Sequence, residues 1–230
     1  MSRRPAETPP TGTGREGPWL IESPHATPST SYEDDPELPA AVLFDRDGTL
    51  VEDVPYNGDP ALVRLMPTAR DAVEAVRAAG IPVGVVSNQS GVARGLLTRA
   101  QVDAVRQRVE ELLGPFSVWA ICPHGPGDGC GCRKPAPGLV CAACERLGVP
   151  AGRAAVIGDI GADMGAARAA GARGVLVPTP VTRAEEIASA DAVAPDLLTA
   201  VGLVLGPPKA ARRAAVACVP GARPGEGEQR

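Results

Sequence analysis

Aromatic side chains are nearly absent from this chain of 230 residues. Phe, Tyr and Trp number two each, 3% of the total, although hydrophobic residues as a whole reach 44%. A core must therefore be built from Ala, Val, Leu and Ile. Long apolar runs are absent too: no stretch approaches the ~18 residues that would span a membrane. The opening MSRRPAETPPTGTGREGPWL has no apolar segment of the signal-peptide kind, so the expectation is a cytoplasmic protein. There is no long basic stripe, and a net charge of −4 with a pI near 5.3 argues against nucleic acid as a partner. No Gly-x-Gly-x-x-Gly follows the first expected strand, which counts against a nicotinamide-binding domain. No internal repeat of fixed period is found.

Glycine and proline are plentiful, at 27 and 25 residues, and they mark out the chain. Residues 1–37 are rich in Pro, Thr, Ser and Gly without helical or alternating period and read as a disordered arm. Residues 206–230 read as a flexible tail. The folded unit is expected over 38–205. There, short apolar runs (AAVLF, IPVGVVS, SVWAIC, AAVIG, GVLVP) alternate with helical patterns, the clearest being LTRAQVDAVRQRVEELLG behind an N-capping Thr98. The segment 191–205 reads as one more short strand and a closing helix. Such alternation predicts an α/β fold with a parallel sheet covered by helices on both faces.

Several strands end in polar turns, where open α/β sheets bind ligands. Asp45-Arg46-Asp47-Gly48-Thr49-Leu50 follows the first run, and Gly158-Asp159-Ile160-Gly161-Ala162-Asp163 follows a later one. Each could be a locally hydrogen-bonded Asx-turn, with Asp163 capping the next helix. Together the two acidic ends could share a hard cation such as Mg²⁺. Ser87-Asn88-Gln89-Ser90-Gly91 offers hydroxyl, amide and backbone donors to an anion, and Arg133-Lys134 brings two cations just before a helix. Carboxylates, a metal and cations in one place suit phosphoryl transfer, in which developing negative charge must be neutralised.

Of six cysteines, five fall between 122 and 144. Cys122-x-His124-x₅-Cys130-x-Cys132 offers three thiolates and an imidazole, the full set for a structural tetrahedral Zn²⁺. An unmetallated loop and redox use stand as alternatives. Cys141 and Cys144 fall within an expected helix over 137–147 and read as core or weakly reactive thiols. Cys218 belongs to the tail and His25 to the arm.

The segments FDRDGTL, VVSNQSGVARG, CRKPAPG and VIGDIGADMGAARAAG resemble the haloacid-dehalogenase-like phosphatases. DRDG, SNQSG with VARG behind it, and CPHGPGDGCGCRKP narrow the resemblance to the D-glycero-D-manno-heptose 1,7-bisphosphate 7-phosphatase family and the related histidinol-phosphate phosphatases. It implies a Rossmann-like, essentially capless fold with a zinc-binding loop. It also implies a Mg²⁺-dependent phosphomonoesterase that works through an aspartyl-phosphate. Asp45 corresponds to the nucleophile and Asp47 to the acid/base. Asp45, Asp159 and the Asp47 carbonyl would hold Mg²⁺. Ser87 and Lys134 would bind the phosphoryl group, with Asn88, Arg133 and Tyr56 facing substrate. The chain departs from the family at Ile160, where a lysine is common, and at Tyr56-Asn57-Gly58, where Tyr-x-His is frequent. The expected substrate is a small phosphorylated metabolite, most often a heptose bisphosphate in this resemblance, with histidinol phosphate or another ester as alternatives. A mutase would need a large cap, and none has room here. A non-catalytic zinc-stabilised binding module is the competing class. A monomer is the default expectation.

Overall fold

The computed structural model describes residues 17–22, 35 and 37–207; His25, Cys218 and the tail from 208 lie outside them. Six strands form one sheet in the order β1-β4-β3-β2-β5-β6. They are β1 (Trp19–Ile21), β2 (Ala41–Phe44), β3 (Val83–Asn88), β4 (Val118–Cys122), β5 (Ala154–Gly158) and β6 (Arg173–Leu176). β2 to β6 pair in parallel, and β1 adds to β4 antiparallel. Helices α1 (Ala69–Ala78), α2 (Arg99–Leu113), α3 (Gly138–Leu147), α4 (Gly161–Ala169), α5 (Ala184–Ser189) and α6 (Leu197–Leu205) connect or follow the strands.

The strand period of two divides the core. On β2, Val42 and Phe44 pack with α1, α2 and α6, whereas Ala41 and Leu43 pack with α3 and α4. Helices therefore cover both faces, and every residue of β2, β4 and β5 is buried. Two of the scarce aromatics pack together, Phe116 and Trp119 meeting edge to face at 5.3 Å. Thr98 caps α2 in a reciprocal box with Gln101. Asp47 to Leu65 form only isolated bridges and a short 3₁₀ turn. No distinct cap domain exists among the described residues.

Two expectations need correction. The sixth strand is not formed by 191–195, which makes a single bridge, Leu176 with Val193. It is β1, inside the segment read as a disordered arm. Three residues carry too short an apolar pattern to stand out; Trp19–Ile21 become a strand only because the β4 edge needs pairing.

Candidate active site

The chain runs from β2 to β3 and β4 on one side, then returns to β5 on the other. The carboxyl ends of β2, β3 and β5 therefore converge, with the turn after β4 beside them. Asp45 continues the ladder, its N–H donating to the Ile157 carbonyl at 2.9 Å. The Arg46 carbonyl then accepts from the N–H groups of Leu50 and Val51, at 2.9 and 3.0 Å, closing a turn. Gly48 has φ +76°, and a Cβ there would stand 2.3 Å from Asp159 Oδ2. Only glycine lets the Asp159 carboxylate lie against this turn.

Lys134 is buried at the centre. Its ammonium pairs with Asp45 Oδ1 at 2.5 Å and Asp163 Oδ1 at 2.6 Å, and donates to the Val86 carbonyl at 2.8 Å. Its backbone is clamped by Asn88: the Lys134 N–H donates to Oδ1 and Asn88 Nδ2 donates to the Lys134 carbonyl, both at 3.1 Å. Asn88, read as a substrate contact, thus has its amide engaged in placing Lys134. Ser87 is buried, and its Oγ accepts from Gln89 Nε2 at 2.9 Å. The Asp47 carboxylate is gripped by Arg46 at 2.9 and 2.7 Å and by Gln89 at 2.9 Å.

Asp45, Asp159 and Asp163 each offer a carboxylate oxygen within 4.8 Å of the others, and the Lys134 ammonium stands against two of them. Burial pushes Asp45 up to about 7 against the attraction of Lys134, and Asp163 and Asp47 add repulsion. Burial and the neighbouring carboxylates push Asp159 up to about 8. Burial opposes the charge on Lys134, yet Asp163 and Asp45 outweigh it and raise its pKa. A hard, all-oxygen cluster short of positive charge suits a divalent cation.

A cavity of about 360 Å³ opens on this cluster. Asp45 and Lys134 line it, with Tyr56, Arg133, Ile160 and Val181 among its walls. The Arg94 guanidinium lies 5.5 Å over the Tyr56 ring. Arg133 makes one long hydrogen bond, to the His124 carbonyl at 3.4 Å.

Beside it, Cys122, His124, Cys130 and Cys132 converge. Cys122 Sγ lies 3.8 Å from Cys130 Sγ and 3.3 Å from Cys132 Sγ; His124 Nδ1 is 3.5 and 3.3 Å from Cys122 and Cys132. Two sulfurs ~2.3 Å from a tetrahedral Zn²⁺ stand about 3.8 Å apart, so the set could close on such an ion with little movement. Cys141 is exposed, and Cys144 is a buried thiol pushed up to about 12 by burial.

Sequence reasoning missed Arg46, Gln89 and the larger part of Asp163. Asp163 does cap α4, its Oδ2 accepting from the Ile160 N–H at 3.2 Å, but its other oxygen pairs with Lys134. The available signal was spacing: Asp163 lies four residues beyond Asp159, in the first turn of the helix that follows the same strand end.

Comparison with known proteins agrees with this arrangement. A family model described as HAD-hydrolase-like matches residues 131–200. The D-glycero-beta-D-manno-heptose-1,7-bisphosphate 7-phosphatase of Pseudomonas aeruginosa is 37% identical over 147 residues, 60% of this chain and 80% of its own. The Mesorhizobium japonicum protein of the same name is 44% identical over 154 residues, 62% and 70% of the two chains. The solved D,D-heptose 1,7-bisphosphate phosphatase of B. bronchiseptica, complexed with magnesium and phosphate, superposes with a TM-score of 0.65 at 30% identity, covering 72% of this chain and 98% of that one.

Proposed function

The chain belongs to the D-glycero-D-manno-heptose-1,7-bisphosphate 7-phosphatase family of haloacid-dehalogenase-like phosphatases, and on that premise we propose that it is a Mg²⁺-dependent phosphomonoesterase removing the 7-phosphate of such a heptose bisphosphate. The observation that carries the reading is the buried Lys134 ammonium held between the carboxylates of Asp45 and Asp163 on a polar cavity.

Asp45 attacks phosphorus, forming an aspartyl-phosphate as the bond to the sugar oxygen breaks. Asp47 gives that oxygen a proton, then accepts one from the water that hydrolyses the acyl phosphate. Lys134 neutralises the phosphoryl oxygens, and the Ser87 hydroxyl, which already accepts from Gln89, has its own O–H to donate to one of them. Mg²⁺, held by Asp45, Asp159 and the Asp47 carbonyl, would cancel the repulsion between nucleophile and phosphate dianion. The magnesium and phosphate in the B. bronchiseptica relative support that assignment. Cys122, His124, Cys130 and Cys132 would hold a structural Zn²⁺. Its loop runs directly into Arg133 and Lys134, so metal binding there sets where both cations point.

The 7-phosphate is a primary ester on an exocyclic arm and enters a cavity of this size without the ring. Arg133, Tyr56 and the loop over 51–64 then meet the ring and the distal phosphate. Phosphorus NMR of the purified protein with Mg²⁺ and heptose 1,7-bisphosphate tests this. The 7-phosphate resonance should vanish first, with the 1-phosphate retained, and Asp45→Asn should release no phosphate. Early loss of the 1-phosphate, or histidinol phosphate turned over at least about tenfold more efficiently, would overturn the substrate assignment.

A further inference from the structure

Gln89 ties together two groups that come from different strand ends. Its side chain is buried, 5% exposed, and one amide nitrogen donates both to Asp47 Oδ2 and to Ser87 Oγ, each at 2.9 Å. An amide nitrogen carries two protons, so both bonds are satisfied at once. Arg46 grips the same Asp47 carboxylate from the other side with Nε and Nη2, and it too is buried, 3% exposed. The Asp47 carboxylate therefore accepts three hydrogen bonds from two buried side chains. A buried glutamine with both donors spent on an acid/base and on a phosphoryl-binding hydroxyl has no comparable task in the sheet or its core.

We propose that Gln89 is a positioning residue which, with Arg46, holds the Asp47 carboxylate in place for proton transfer to the leaving oxygen and aims the Ser87 O–H at the phosphoryl group. This rests on the phosphatase reading of the site. By accepting from Gln89, Ser87 keeps its own proton to donate in a direction away from the amide. Asp47 is a short side chain at a turn, and without Gln89 its carboxylate is held from the Arg46 side alone. General acid catalysis is steep in geometry, so a small displacement costs rate where the leaving group needs a proton and little where it does not.

The leaving group supplies the test. An alkyl phosphate departs as a strongly basic alkoxide and needs Asp47, whereas p-nitrophenyl phosphate departs as a stable phenolate. In Gln89→Leu, kcat/KM for a sugar 7- or 6-phosphate should fall about 100-fold, against about threefold for p-nitrophenyl phosphate. The weakened Ser87 contact lowers both esters by a common factor, so the ratio reads the Asp47 arm alone. Hydrolysis of the acyl phosphate also needs Asp47, so the variant should release a burst of p-nitrophenol close to one equivalent before a slowed steady state. Gln89→Glu, nearly the same size, should change the ratio in the same direction, since a carboxylate beside Asp47 repels it and accepts the Ser87 O–H, which then no longer donates to the phosphoryl group. It stands in should Gln89→Leu fail to fold. Equal losses on both esters in the folded variants would overturn the inference and leave the phosphatase reading standing. No turnover of either ester by the unsubstituted protein with Mg²⁺ would overturn both.

Discussion

Three carboxylates and one ammonium in a buried space are a charge imbalance that the free protein must absorb. Asp45 and Asp159 do so by binding protons far above the ordinary carboxylate range, at about 7 and about 8. Because these folded-state values are raised, the stability they confer is complete below ~4 and is lost as pH rises through 7 and 8. Mg²⁺-free protein should therefore melt about 5 °C lower at pH 8.5 than at pH 6 by calorimetry, and millimolar Mg²⁺ should restore much of that at the higher pH. A melting temperature that is flat or rises with pH would contradict this account. Asp163 has a second expected consequence. Asp163→Ala removes one of the two anions that hold Lys134 and the cap on the Ile160 N–H. Turnover should drop about 100-fold and urea unfolding should show a loss of about 2 kcal/mol, less than for a fully orphaned buried charge because Asp45 remains.

Between β4 and α3 the polypeptide has no regular structure, yet it carries two of the cations that line the cavity, Arg133 and Lys134. Cys122 is the last residue of β4, and Gly138, the first of α3, lies so close to the loop that a Cβ would stand 2.4 Å from the Gly131 carbonyl oxygen. The strand, the helix and the converging side chains of Cys122, His124, Cys130 and Cys132 together define the path of this segment. A bound structural metal contributes folding free energy, so Cys130→Ser should lower both melting temperature and kcat. Elemental analysis should find about one Zn²⁺ per chain in the parent protein and well under half in the variant. Active parent protein devoid of zinc would remove the metal from the account.

Across the whole molecule, the candidate catalytic groups sit at the middle of the sheet and the added strand β1 at its rim. Trp19 pairs with Ile121 across the edge and has the Arg99 guanidinium 4.8 Å over its ring. Trp19→Ala should cost about 1–2 kcal/mol in urea unfolding, from lost apolar burial and the cation–π contact. Its kcat/KM should stay within about twofold of the parent, because the rim is not part of the site. A large loss of activity would mean that β1 holds β4, and with it the cation-bearing loop, in register.

Local pattern by itself determined the alternation of strands and helices, the strand-end turns and the loop on which three cysteines and a histidine converge. Each is a property of adjacent residues: apolar runs bounded by glycine, carboxylates two apart, cysteines at metal spacing. Family motifs pointed to Asp45, Asp47, Ser87, Lys134 and Asp159 as candidates for the same reason, since each lies in a short recognisable string. Tertiary structure decided what depends on groups far apart in the chain. Asn88 reads as a substrate donor until Lys134, 46 residues away, takes its amide at both ends. Gln89 is an ordinary turn residue until Asp47, 42 residues earlier, stands within 2.9 Å. Trp19–Ile21 lack the length to announce a strand, and only the open edge of β4 makes them one. Hydrogen bonds and ion pairs act over about 3 Å, so which distant groups share that distance is a fact of chain packing, and no local spacing encodes it.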